Sequence, residues 1–200
     1  EQLRDDLVHW IVHDMKNPMG AISGHLELLL MVGGDHLDLE QKEFVQEALD
    51  ATRQLVGMAD TLLDVSRLES GSLPLDIRSF DLSAAARKAL KDVSVRAAEK
   101  EIRVAGPEET VMVRADADLM QRVLLNLVDN ACKYIPRGGS IRVRIAEVDG
   151  AVRVEVTDDG PGIPREYHER IFEKFGQVEV RRERSRHSTG LGLAFCKLAV

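Results

Sequence analysis

The chain has 200 residues, with 27 Lys and Arg against 34 Asp and Glu, a net charge of −7 and an apolar fraction of 44%. That length fits one medium domain or two small ones, and the acidic balance argues against a surface built to lie along nucleic acid. No stretch of about eighteen apolar residues is present to span a membrane, and no signal-peptide pattern is visible within these residues. The chain begins with Glu1 inside an amphipathic pattern and reads as a piece of something longer, so any membrane link is expected in regions outside it, with this portion cytoplasmic.

Residues 2 to 33 predict a long helix, because Leu3, Leu7, Trp10, Ile11, Ile22, Leu26 and Leu29 recur at steps of three and four. Gly33, Gly34 and Asp35 break it. Asp38 with Gln41 forms a capping-box pattern opening a second helix through Phe44, Ala48, Leu55, Ala59, Leu62 and Leu63 to about Glu69. Gly71 supplies its stop. Two helices of about 45 Å cannot hide such stripes against each other alone, whereas a dimer building a four-helix bundle can. The expected first domain is therefore residues 1–70, a dimerising hairpin.

The pattern changes in residues 71–200. A strand is expected around Leu73–Arg78, then Asp81 as the cap of an Ala-rich helix running to Lys100. Ile102–Ala105 and Val111–Arg114 read as strands, and Asp116 opens a helix to about Tyr134. Ile141–Val148 and Val152–Asp158 alternate with period two around Asp149-Gly150, a hairpin pattern. A last helix is expected from about Gly190. The fold class is α+β: a helical hairpin followed by an α/β sandwich with a mixed sheet. Cys132 and Cys196 have no metal-ligand spacing and read as buried thiols.

Several residues carry chemistry. In His13-Asp14-Met15-Lys16-Asn17-Pro18, proline removes a helical hydrogen bond one turn after the histidine. Asp14 is placed to fix the tautomer of His13, leaving the other nitrogen nucleophilic. The same residues also read as a surface His beside a surface Asp with a kinking Pro. His9 and His13, four apart, are half of a metal spacing that nothing nearby completes.

Asn126, Asn130 and Lys133 share one helix face, where amide oxygens suit a hard cation and the ammonium suits phosphate, or form a merely polar outer face. Asp158-Asp159-Gly160-Pro161-Gly162 ends an apolar strand; its carboxylate could accept from an exocyclic amine, and it equally suits an ordinary turn. Gly190-Leu191-Gly192-Leu193 opens the last helix with free amides suited to phosphate, and equally reads as a flexible helix entry. Between these loops, Phe172 and Phe175 read as hydrophobic anchors of a segment holding Arg181, Arg182, Arg184, Arg186 and His187, either a lid or simply a solvated loop.

In this order the motifs resemble those of the sensor histidine kinases of two-component systems, across essentially the whole chain. His13–Pro18 is similar to that family's H box, Asn126–Tyr134 to its N box, Asp158–Gly162 and Gly190–Leu193 to its two glycine boxes, and Ile171–Phe175 to its F box. The resemblance implies an ATP-dependent kinase. His13 takes the phosphoryl group, Asp14 assists it, and Asn17 supports dephosphorylation of a response regulator's receiver domain. It implies that Asn130 binds Mg²⁺, Asp158 reads adenine and Lys133 meets phosphate. Asn126, Tyr134, Gly160, Gly162, Gly190, Leu191 and Gly192 complete the ATP site. Ile135 and Ser188 depart from the family pattern, and the final strands of such a domain are expected beyond Val200. An ATPase of the same nucleotide fold, as in gyrase or heat-shock chaperones, would lack the His–Pro hairpin. A non-catalytic scaffold would have no use for Asn130, Asp158 and both glycines of the last motif.

Overall fold

A computed structural model describes residues 2–33, 36–176 and 190–200, with side chains from residue 10 onward. Gly34, Asp35 and the expected lid, including Arg181, Arg182, Arg184, Arg186, His187 and Ser188, lie outside the described residues, as do the side chains of Leu3, Leu7 and His9. The chain divides into two compact units, Glu1–Leu73 and Pro74–Val200.

The first unit is a hairpin of α1 (Gln2–Gly33) and α2 (Leu39–Glu69). Helix α1 continues through Pro18. Asp38 accepts from the Gln41 amide at 2.8 Å while the Gln41 side chain accepts from the Asp38 amide at 3.1 Å, so the capping box is closed in both directions. Gly71 takes φ +65, the left-handed turn that ends α2. Val12, Met19 and Ala59 form a small buried cluster with Val56, Leu62 and Leu63 packed on it. Much apolar surface stays outside: Trp10 is 67% exposed and Phe44 60%, and Ile11, Ile22, Leu28, Leu29 and Leu55 are exposed as well.

The second unit is an α/β sandwich. Strand β1 is Ile77–Asp81, shifted from the expected position around residues 73–78. The shift follows from Asp116, whose carboxylate accepts from the Asp76 amide at 2.9 Å and sets where pairing with β3 (Met112–Asp116) begins. These two strands run antiparallel, Ile77 opposite Asp116 and Asp81 opposite Met112. The Ala-rich segment is two helices rather than one, α3 (Leu82–Asp92) and α4 (Ser94–Glu99). The break falls at Val93, fully buried with φ −94 and ψ 0, where the bend lets Val93 and Ala97 both enter the core.

Strands β2 (Arg103–Ala105), β4 (Ser140–Val148) and β5 (Ala151–Asp158) form a mixed sheet in the order β2-β4-β5, parallel then antiparallel. Asp149 and Gly150 both have positive φ (53 and 78), a tight hairpin turn whose twist matches the strands. Helix α5 (Ala117–Tyr134) lies over the core formed by Leu90, Val93, Leu124, Val128, Ile141 and Val143. The last helix, α6, is Gly192–Ala199, starting two residues later than expected because Gly190 is left-handed (φ +69). No helix among the described residues is long and apolar enough to cross a membrane.

Candidate functional sites

In the hairpin, His13 stands on the solvent side of α1, its side chain 62% exposed, while its neighbour Val12 faces the core. His13 Nδ1 lies 3.3 Å from Asp14 Oδ1. An ionised carboxylate only accepts, so Nδ1 donates its hydrogen and the lone pair is on Nε2, away from Asp14. Asn17, one turn further, is exposed like His13. Pro18 has no N–H to give, so the Asp14 carbonyl lacks its helical donor. Lys16, three residues after His13 and half-buried on the side toward α2, bonds Asp60 at 2.5 Å.

In the second unit, α5, the end of β5, the loop after it and the start of α6 surround a cavity of about 530 Å³. Its lining includes Asn126, Asn130, Lys133 and Tyr134 from α5, Asp158 and Gly162 from the strand end, and Gly190 and Gly192 from the last loop. The volume is that of a site for a nucleotide-sized ligand. One helix face supplies the amides, because positions 126, 130 and 133 are one turn apart.

The polar groups are held in place. Asp158 Oδ1 accepts from the Gly160 amide at 2.7 Å. A Cβ on Gly160 would sit 2.3 Å from that oxygen, so glycine is required for the carboxylate to stay there. Gly160 itself is behind the carboxylate rather than in the lining. Asp159 turns away and accepts from the Ser140 hydroxyl at 2.6 Å and amide at 2.9 Å, and the hydroxyl bond is the main cause holding its carboxyl below the ordinary value. Lys133 bonds Asp129 at 3.0 Å, and Arg96 of α4 bonds the same carboxylate, so the ammonium is tethered at the cavity wall. The Asn126 amide faces α6: a Cβ on Gly192 would lie 3.3 Å from its oxygen. It also hydrogen-bonds Cys196, whose burial pushes the thiol up to about 11.

Leu191 is buried, and its carbonyl accepts from the Phe195 amide to start α6, so it contributes backbone and packing rather than cavity surface. Helix α6 has no side-chain cap at its start, where Gly192 and Leu193 line the cavity. Of the two expected anchors, Phe172 lines the cavity, but the Phe175 ring is 61% exposed. Phe175 holds on through its backbone: its amide donates to Gly190 O at 3.0 Å, joining the loop before residue 177 to the loop after 189. A hydrophobic anchor was the wrong expectation there because a left-handed φ of +60 turns the ring outward.

Asp129, Arg96, Lys100 and His168 were not singled out in the sequence. Lys100 donates to the carbonyls of Cys132 and Lys133, a cation at the C-terminus of α5. His168 lines the cavity and its Nε2 bonds Ile163 O at 2.9 Å. Asp129 sits four residues before Lys133, and that spacing alone predicts the pair; nothing local points to Lys100 or Arg96.

Fold and site thus define a protein that joins an exposed histidine on a helical hairpin to an α/β unit with an amide- and carboxylate-lined cavity. Residues 3–71 match the family model of the His Kinase A (phospho-acceptor) domain, and residues 115–200 that of the histidine kinase-, DNA gyrase B- and HSP90-like ATPase. Hybrid signal transduction histidine kinase D of Dictyostelium discoideum is 31% identical over 98% of this chain, which spans 13% of that protein. Full-length ShkA, solved in complex with AMPPNP, superposes with a TM-score of 0.79 at 26% identity over 97% of this chain and 40% of that one. The mycobacterial sensor histidine kinase MprB superposes at 0.54, with 30% identity over 62% of this chain and 77% of that one. The chain belongs to the sensor histidine kinases of two-component systems. It spans between 13% and 54% of the length of such curated relatives.

Proposed function

We propose that the protein transfers the γ-phosphoryl group of ATP to His13 and passes it to an aspartate of a response regulator's receiver domain, working as a homodimer through residues 1–70. The carrying observation is one chain holding both an exposed imidazole engaged at Nδ1 by Asp14 and a nucleotide-sized cavity lined by Asn126, Asn130, Lys133 and Asp158.

The Nε2 lone pair attacks the γ-phosphorus. The N–P bond forms, the bond to the bridging oxygen breaks, and ADP leaves with that electron pair. The ring becomes more acidic as it takes the phosphoryl group, and Asp14 accepts the Nδ1 proton. The receiver carboxylate then attacks the same phosphorus and the N–P bond breaks, its electron pair returning to Nε2 while Asp14 gives the proton back to Nδ1, which restores the neutral imidazole. Positioning and charge neutralisation dominate such transfers. Asp158, held by the Gly160 amide, accepts from the exocyclic amine of adenine. Lys133 meets phosphate oxygens, and the uncapped start of α6 presents amides to them. Asn130, with the amide oxygen of a hard-cation ligand, would hold Mg²⁺, which when bound neutralises phosphate charge. Asn17 faces a docked regulator beside His13 and orients a water for hydrolysis of its acyl phosphate. Burial of the exposed apolar face of α1 and α2 drives dimerisation. The AMPPNP complex of ShkA supports nucleotide binding here.

The test is incubation with γ-labelled ATP and mapping of an acid-labile, base-stable label. Label on His13 is expected in the wild type, and its loss in His13→Gln, Asn130→Asp and Asp158→Ala. Wild-type labelling rates in the last two would reject the assignment of the cavity.

A further inference from the structure

We infer that Lys16 is a positioning residue for the phosphoryl group on His13, held ready by Asp60 of α2; this rests on His13 being the phospho-acceptor. Lys16 follows His13 by three residues, so the two side chains are neighbours on the helix surface. Its ammonium bonds Asp60 Oδ1 at 2.5 Å, with the two side chains 38% and 45% exposed. A second ion pair that joins the helices, Arg53 with Glu27, is far from His13 in sequence.

Two facts separate Lys16 from an ordinary interhelical bridge. Arg4 and Lys16 are the only Lys or Arg residues of α1, so along α1 Lys16 is the single permanent cation within two turns of His13. The nearest charge to the imidazole is also the wrong sign: Asp14, 3.3 Å from Nδ1, opposes an incoming phosphate. A phosphoryl group brings a charge of about −1.5 to −2 and three acceptor oxygens. Lys16 has three donors on a flexible stem. It can keep one N–H on Asp60 and turn another to the phosphoryl oxygens, offsetting Asp14. Asp60 holds the ammonium on that side of the hairpin between turnovers and competes with the phosphoryl group for it.

The competition makes a test with opposite signs. His13 is phosphorylated in the full chain by γ-labelled ATP and, independently of the nucleotide cavity, by phosphoramidate. Lys16→Gln is expected to slow phosphohistidine formation from both donors about ten-fold, the size of one charge-assisted hydrogen bond. Lys16→Arg restores most of the rate. Asp60→Asn, which removes the competitor, leaves the rate at or above wild type. The double variant, Lys16→Gln with Asp60→Asn, keeps a neutral contact between the helices and stays as slow as Lys16→Gln. A merely structural bridge would make Lys16→Gln and Asp60→Asn fall together, and that result, or an unchanged Lys16→Gln, overturns the inference alone. No label on wild-type His13 from either donor overturns the phospho-acceptor reading with it.

Discussion

Gly190→Ala is expected to destabilise the second unit through a contact with backbone atoms. Gly190 has φ +69, and a Cβ there would lie 2.8 Å from both the Cα and the carbonyl carbon of Phe175 and 3.2 Å from the Gly176 nitrogen. These are backbone atoms, pinned by the Phe175 N–H bond to Gly190 O, and cannot swing aside. The left-handed conformation costs an L-residue about 1–2 kcal/mol, and a forced contact adds about 1–3 kcal/mol. Lower freedom of the unfolded chain offsets about 0.4–1 kcal/mol of that. The net loss is about 1–5 kcal/mol, centred on ~3 kcal/mol, a large part of the stability of a small domain. Gly138 is the control: its φ is +79 but a Cβ there meets nothing within 4 Å, so Gly138→Ala carries the conformational penalty only, about 1 kcal/mol or less after the same offset. The assay is urea unfolding followed by far-UV circular dichroism, with nucleotide affinity measured on the folded proteins. Equal losses in the two variants, or an unchanged Gly190→Ala, would refute the contact between the two loops as the reason for glycine.

Asn17→Ala should leave phosphorylation of His13 within a few-fold and slow dephosphorylation of a chemically phosphorylated response regulator about ten-fold; equal decay with wild-type and mutant kinase would leave Asn17 only as the residue before Pro18. Asp116 accepts from the amides of Leu119, Asp76 and Asp118, with the Leu119 bond the main cause of its lowered pKa. A carboxylate depressed on folding stabilises above its unfolded pKa and loses that contribution as pH falls. Asp116→Ala should therefore cost about 1–2 kcal/mol at pH 7, and its difference from wild type should shrink below about pH 4, as read by urea midpoints across pH. Sedimentation at micromolar concentration should show two chains; a stable monomer would remove dimerisation as the cover for Trp10, Phe44 and their neighbours.

What the sequence by itself determined is local. Apolar spacing and the Asp38–Gln41 box set both hairpin helices to their ends, and Asp81 and Asp116 marked helix starts, because a cap is a contact between residues two or three apart. Asp149-Gly150 marked its turn through backbone freedom alone. Helix periodicity also placed Asn126, Asn130 and Lys133 on one face before any partner was known.

The tertiary structure decided whatever depends on a distant neighbour. The first strand starts at Ile77 because Asp116, forty residues on, holds Asp76. The Ala-rich helix breaks at Val93 because the core takes that side chain, although its propensity allows a continuous helix. Phe175 has the composition of a hydrophobic anchor, yet it is held by a backbone bond to Gly190. Lys16 meets Asp60 only because two helices pack in one phase, and that phase is set by burial of Val12, Met19 and Ala59 rather than by either residue of the pair. Local rules act through the chain, whereas these contacts act through space, and only packing says which residues share it.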